Sequence, residues 1–202
     1  MTATLTTSIT PASMTGVETM TLTMNGASLN ATNIDDVTTL NLTQTGITIF
    51  TNMDATVAQI NQITGSSAAA SYGYAAGAAA TVRYDFDSAT ANVANGTTTF
   101  VNAGAITIDG DAVRTVDLGT TFTAASATSL TVLGDAAALD VGATVTIAAA
   151  TDVTVTGAAG AVTVGSTTLA AAAATTLTVT GAAGAVTVGV ATTTAALVTG
   201  TI

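Results

Sequence analysis

The twelve residues TVTGAAGAVTVG run from Thr154 to Gly165 and again, unchanged, from Thr178 to Gly189. In each copy valine alternates with threonine on both sides of a Gly-Ala-Ala-Gly segment, which is the two-residue period of a strand with one buried face. A 24-residue unit built from such strands buries little by itself. Stacked copies bury one another, which is the logic of a solenoid.

Working outward, the same opening recurs upstream in altered form: ITIDGDA from Ile106, LTVLGDA from Leu130, VTVTGAA from Val153 and LTVTGAA from Leu177, so successive coils are 24, 23 and 24 residues long. A second strand follows in each coil as VDLG (Val116 to Gly119), LDVG (Leu139 to Gly142) and VTVG twice, and a third, less regular one contains Phe122, Val145 and Leu169. In the fourth coil Ala195 to Thr199 takes that place. Three strands per coil and parallel stacking predict an inward ladder of Ile106, Leu130, Val153 and Leu177. A second ladder joins Ile108, Val132, Val155 and Val179, and threonine lies outside between the two. Gly110, Gly134, Gly157 and Gly181 fall at corners, where a positive φ is expected.

Nearer the N-terminus, Val17 to Gly26 and Val37 to Gly46 align at a spacing of 20, and Val57 to Gly65 continues the series. The stretch SSAAASYGYAAGAAA (66–80) breaks the rhythm and reads as an excursion with room for a short alanine-rich helix. Beyond it Val82, Tyr84 and Phe86 alternate with Arg83, Asp85 and Asp87. The predicted fold is therefore an all-β parallel β-solenoid with coils of about 20 to 24 residues and three short strands in each. Residues 1–65 form N-terminal coils, 66–105 an irregular joint, and 106–202 regular C-terminal coils that run on past the chain.

Composition narrows the function. The 202 residues include no Cys and no His, 12 acidic residues and two basic ones, Arg83 and Arg114, for a net charge of -10. Nucleic acid is disfavoured as a partner, because phosphate binding needs clustered Lys or Arg. No apolar run approaches the roughly 20 residues of a membrane span. Without His, Cys or Lys there is no base, nucleophile or Schiff-base former of the common kinds. Glycosidase chemistry would rest on paired carboxylates beside aromatic sugar platforms, and aromatics are only 3% of the chain. Solenoid polysaccharide lyases need basic residues that are missing. An enzyme is not expected.

The most specific polar feature is an acidic ladder. Asp111 and Asp135 occupy one repeat position in adjacent coils, Asp117 and Asp140 another, and Asp109 lies close by. Stacked like charges repel unless a cation bridges them, and Ca²⁺ takes carboxylate oxygens. The alternative is a solvated acidic edge. Asp85 and Asp87, two apart on one strand face, form a weaker candidate pair, for which a charged outer face partly balanced by Arg83 is the favoured reading. Sequons at Asn30, Asn41 and Asn95 match the frequency expected of a threonine-rich chain. The paired threonines Thr154/Thr156 and Thr178/Thr180 resemble, over two ranks, the outward arrays of ice-binding solenoids.

VETMTLT (17–23) and DVTTLNLT (36–43), followed by Thr/Ala/Val/Gly-rich coils, resemble bacterial surface-layer proteins, particularly the calcium-dependent, RTX-associated type. The resemblance implies an extracellular, cell-surface β-solenoid that self-assembles into a two-dimensional lattice supported by Ca²⁺, with a cell-surface glycan as a possible anchor. The family's glycine-rich nonapeptide GGxGxD does not occur here. From Val153 to Ile202 there is no charged residue, so the last coil is expected to abut another subunit or domain. The competing expectation is an adhesin or tail-fibre-like solenoid that binds a glycan or receptor, with Tyr72, Tyr74 and Tyr84 as an exposed aromatic cluster.

Overall fold

The computed structural model describes residues 1–189 together with the strands Ala191–Thr192 and Thr199–Thr201. Among these residues there is no helix, and the strands stack into three parallel sheets wound as a solenoid. The ten-stranded sheet contains, in order along the stack, Thr2–Leu5, Thr19–Met24, Thr39–Gln44, Gln59–Thr64, Ala80–Asp85, Ala103–Asp109, Ser129–Leu133, Asp152–Thr156, Thr176–Thr180 and Thr199–Thr201. The eight-stranded sheet contains Ala27–Asn30, Thr48–Met53, Ala69–Tyr74, Thr97–Val101, Thr121–Thr123, Thr144–Thr146, Thr168–Ala170 and Ala191–Thr192. The third side holds only five strands: Val93–Ala94, Val116–Asp117, Leu139–Asp140, Val162–Val164 and Val186–Val188.

The predicted ladders form. Ile106 lies opposite Leu130, Leu130 opposite Val153 and Val153 opposite Leu177, with Ile108, Val132, Val155 and Val179 in the second column. Ile106, Ile108, Leu130, Val132, Val153 and Val155 are buried, and the threonines between them face outward. Each such buried aliphatic side chain contributes about 1.5–3 kcal/mol, so stability accumulates coil by coil.

The corner glycines act differently from the expectation. Positive φ belongs to the glycines that end the second strand, Gly119, Gly142 and Gly165, and not to Gly110, Gly134 or Gly157. A Cβ on Gly134 would lie 2.3 Å from Val162 Cγ2, and one on Gly157 would lie 2.4 Å from Val186 Cγ2. These glycines are required by the valine of the next coil; their backbone conformation is ordinary. In the fourth coil Ala191–Thr192 pairs with Thr168–Ala170; of the stretch Ala195 to Thr199 expected there, Thr199 opens the last strand of the ten-stranded sheet and the rest lies outside the described residues.

The stretch 66–105 does not interrupt the stack. Ala69–Tyr74 and Ala80–Asp85 join the same two sheets as their neighbours, and the short helix expected in the alanine-rich segment is a strand. Something does change there. Thr19, Thr39 and Gln59 face one another at a spacing of 20, whereas Gln59 faces Arg83 and Arg83 faces Thr107 at a spacing of 24. The longer period thus begins at Gln59, and from the coil that follows Arg83 the extra residues supply the third sheet, which starts at Val93–Ala94.

That change of cross-section leaves polar groups facing the lumen, and a buried side-chain network pairs them. Gln44 Nε2 donates to the carbonyls of Gly46, Ala68 and Ala69. Gln62 Nε2 donates to Gln44 Oε1 and to Asn95 Oδ1, at 3.1 and 2.8 Å. Asn95 Nδ2 donates to Thr98 Oγ1, whose hydroxyl donates to the Leu118 carbonyl. Tyr84 donates to Gln62 Oε1 and meets the Tyr72 hydroxyl at 3.1 Å. No buried side-chain nitrogen or oxygen among the described residues is unpaired. Beside this network Phe50, Tyr72, Phe100 and Phe122 form a column of rings 5.0–5.9 Å apart.

Candidate metal centre

The acidic residues converge where the ten-stranded sheet turns the corner toward the third sheet. Asp85 and Asp109 are outward positions of adjacent strands in direct register. Asp87, two residues past the end of Ala80–Asp85, is drawn back by its own amide, which donates to Asp85 Oδ1 at 2.9 Å. One carboxylate oxygen from each of Asp85, Asp87 and Asp109 lies within 4.8 Å of the others. Asp85 is buried, Asp109 half-buried and Asp87 exposed. Of the five aspartates expected to bind metal, Asp109 joins this group, and its partners are the two residues that the alternation assigned to a plain charged face.

Arg83 sits among these carboxylates. Its Nε is 2.9 Å from Asp85 Oδ2, its Nη2 is 3.9 Å from Asp87 Oδ2, and it also pairs with Asp109. One guanidinium for three carboxylates leaves excess negative charge. Burial raises the Asp109 carboxyl above its ordinary range; Arg83 opposes this, and Asp85, Asp87 and Asp135 reinforce it. Asp87 is raised by desolvation and by Asp85, again against Arg83, with Asp135 and Asp111 adding smaller repulsions.

The other expected ligands are tied to backbone. Asp111 is buried, and its Oδ1 accepts from the amides of Val113 and Arg114 at 2.6 and 3.0 Å, which closes the turn after Gly110. Asp135 Oδ1 accepts from the Ala136 amide. Asp117 and Asp140 stand side by side on adjacent strands, and each gives one oxygen to the amide two residues on, Gly119 or Gly142, at 2.7 and 2.8 Å. Both aspartates line an open depression of about 260 Å³ shared with Asn95, Gly96 and Thr120. Each pair keeps spare carboxylate oxygen, the donor type a hard cation takes.

The three-carboxylate group fits a hard divalent cation in donor chemistry, with Arg83 as its competitor for the same oxygens. Asp85 ranks below the ladder in the sequence because strand alternation makes it an outward residue. In the fold it stands in register between Asn61 and Asp109 and pairs with Arg83. The signal available was the triplet R-x-D-x-D followed 24 residues after Asp85 by Asp109.

Elsewhere the surface offers little chemistry. Tyr72, Tyr74, Tyr84, Phe50, Phe86, Phe100 and Phe122, which are all the aromatic residues of the chain, are buried. Burial raises the phenols of Tyr72, Tyr74 and Tyr84 well above the ordinary value and keeps them neutral. The enclosed space among Met20, Leu29, Leu40 and Phe50 is about 10 Å³, the size of a single water site. Asn95 of the third sequon belongs to the buried network. No helix of the described residues is long and apolar enough to cross a membrane. No family model matches the chain, and neither a curated protein nor a solved structure matches it.

Proposed function

We propose that this chain is a structural, self-assembling cell-surface protein of the surface-layer type, exported to the cell exterior and supported by Ca²⁺ at its acidic corner. The observation that carries the reading is the continuous stack of ladders, which fills the lumen of the described coils with buried side chains. Such a body is a rod whose repeated outer faces are its working parts. Ca²⁺ would be held by Asp85, Asp87 and Asp109, with Arg83 displaced, and by the spare oxygens of the Asp117/Asp140 pair. A bound cation would neutralise carboxylates that otherwise repel across adjacent coils.

The adhesin reading relies on exposed aromatic rings, and the burial of Tyr72, Tyr74 and Tyr84 favours the lattice over it. Anchoring to a cell-wall glycan belongs to the same proposal. Electron microscopy of the purified protein with and without Ca²⁺ tests the reading. Sheets or tubes that dissolve in chelator are the expected result, and isolated rods under all conditions would overturn it.

A further inference from the structure

We infer that the outer face of the eight-stranded sheet is the surface on which two copies of this chain pack. The inference rests on the self-assembly reading above. Its starting point is charge. None of the 12 acidic residues and neither arginine lies in a strand of that sheet. The ten-stranded sheet carries Arg83, Asp85, Asp109 and Asp152, and the five-stranded sheet carries Asp117 and Asp140. Two molecules of net charge -10 repel, and this face is the one on which they can meet without placing carboxylates opposite carboxylates.

Its composition matches the charge argument. The threonine pairs Thr97/Thr99, Thr121/Thr123 and Thr144/Thr146 stand in direct register, continued by Thr168 and Ala170 on one side and by Ala69 and Ser71 on the other. Pleating turns these side chains outward while Thr98, Phe100, Phe122 and Val145 point inward. Small, uniform side chains make a flat surface that a second sheet can approach to the usual face-to-face distance of about 10 Å. Exposed aliphatic residues gather on the same side: Ile49 and Val101 lie in the sheet at 37% and 45% exposure, and Ile47 stands one residue before it at 52%. Asp54, Asp117 and Asp140 stand at its margins, so an uncharged centre has a charged rim, the usual anatomy of an interface.

Size sets the strength. Eight strands at about 4.8 Å and two or three outward positions across give a face on the order of 500 Å² per copy. A stable pair buries about 800 Å² per partner, so this contact is weak alone and holds through repetition in an array.

The full chain tests this directly because it has no cysteine. Thr99→Cys and Thr123→Cys should oxidise to covalent dimers, whereas Thr131→Cys and Thr154→Cys, on the ten-stranded sheet, should not. In sedimentation velocity, Thr123→Asp should weaken concentration-dependent association by about tenfold or more, with Thr131→Asp close to the unsubstituted chain. Circular dichroism confirms that each variant is folded, and the cysteine variants carry the test if an aspartate does not fold. If the chain assembles but crosslinks only through Thr131 or Thr154, the face is wrong and self-assembly stands. If it never associates, both readings fail. A monomer that adsorbs to ice through Thr123 would assign the face to ordered water and overturn the pairing.

Discussion

The coils before Gln59 and those after it solve one problem in two ways. The 20-residue coils from Thr19 place one strand in each of the two large sheets and close the circuit through loops, where a single bridge joins Met14 to Ile34; before them Ile9 bridges to Leu29 of the eight-stranded sheet. From Arg83 on, the 24-residue coils insert a two- or three-residue strand between the large sheets, so their cross-section gains a side. Their fillings differ accordingly. Met20, Met24, Met53, Leu40, Leu42 and Phe50 fill the early coils, where irregular loops leave irregular gaps for flexible or bulky side chains. Tyr72, Tyr84, Phe86, Phe100 and Phe122 fill the first long-period coils, and valine, with Leu130, Leu139, Ile147 and Leu169, fills the last ones. The buried methionines thus belong to the early coils, most of the rings to the change of period, and the branched aliphatics to the regular stack.

The two designs meet at the ring column and the Gln44–Gln62–Asn95 network, so the largest effect is expected there. Phe100→Ala removes the ring between Tyr72 and Phe122 and should cost about 3–5 kcal/mol. If the junction is what couples the two regions, thermal unfolding of the variant should split into two transitions. A single transition, merely shifted down, would mean that the backbone ladders alone transmit cooperativity.

Gln62→Leu tests the polar half of the junction. It leaves Gln44 Oε1, Asn95 Oδ1 and the Tyr84 hydroxyl without their shared partner, at about 1–3 kcal/mol for each group left unsatisfied. Gln59→Leu, three residues earlier on the outer face, should stay within about 0.5 kcal/mol. Equal melting temperatures for the two variants would show that water replaces the network.

Much of this architecture was legible in the chain. The duplication at Thr154 and Thr178 and the apolar-Thr-apolar openings specify register, because a shift of one residue would turn every valine outward. The joint was misread because SSAAASYGY is small and glycine-interrupted, yet Ala70, Tyr72 and Tyr74 alternate inward as they would in any strand. The threonine face escaped notice because TFT and TVT are too short to carry a visible period. Asp85 and Asp87 rank only as a weaker pair in the sequence because their convergence with Asp109 depends on a strand a full coil away.

A smaller contrast separates the two uses of glycine. Gly157→Ala in a late coil drives a Cβ into Val186 and should cost about 1–3 kcal/mol as overpacking. Gly26→Ala in an early coil meets no atom within 4 Å but must hold a φ of 67°, a left-handed strain of about 1–2 kcal/mol. The additional substitution Val186→Ala should recover stability in the first case, and no second-site trimming should recover it in the second. Failure of Val186→Ala to rescue Gly157→Ala would return the corner to a backbone explanation.

The smallest effect concerns the acidic corner, which spans the two long-period coils that begin at Arg83 and Thr107. Asp109 has a folded-state pKa raised by burial and by neighbouring carboxylates, so its ionised form is disfavoured in the folded protein. The folded state then binds the proton more readily than the unfolded one, and stability from this group is lost as pH rises through the folded value. Asp109→Asn, which is neutral at every pH, should therefore melt slightly higher than the unsubstituted chain at neutral pH without divalent cation. The difference should close as pH falls below the carboxylate range. Added Ca²⁺ should reverse the order, because bridging needs the ionised carboxylates of Asp85, Asp87 and Asp109 and rewards the chain that still has all three. Melting curves in chelator and in Ca²⁺, at neutral and at acidic pH, separate the two contributions. If Ca²⁺ moves neither protein, Arg83 is the only cation this corner uses.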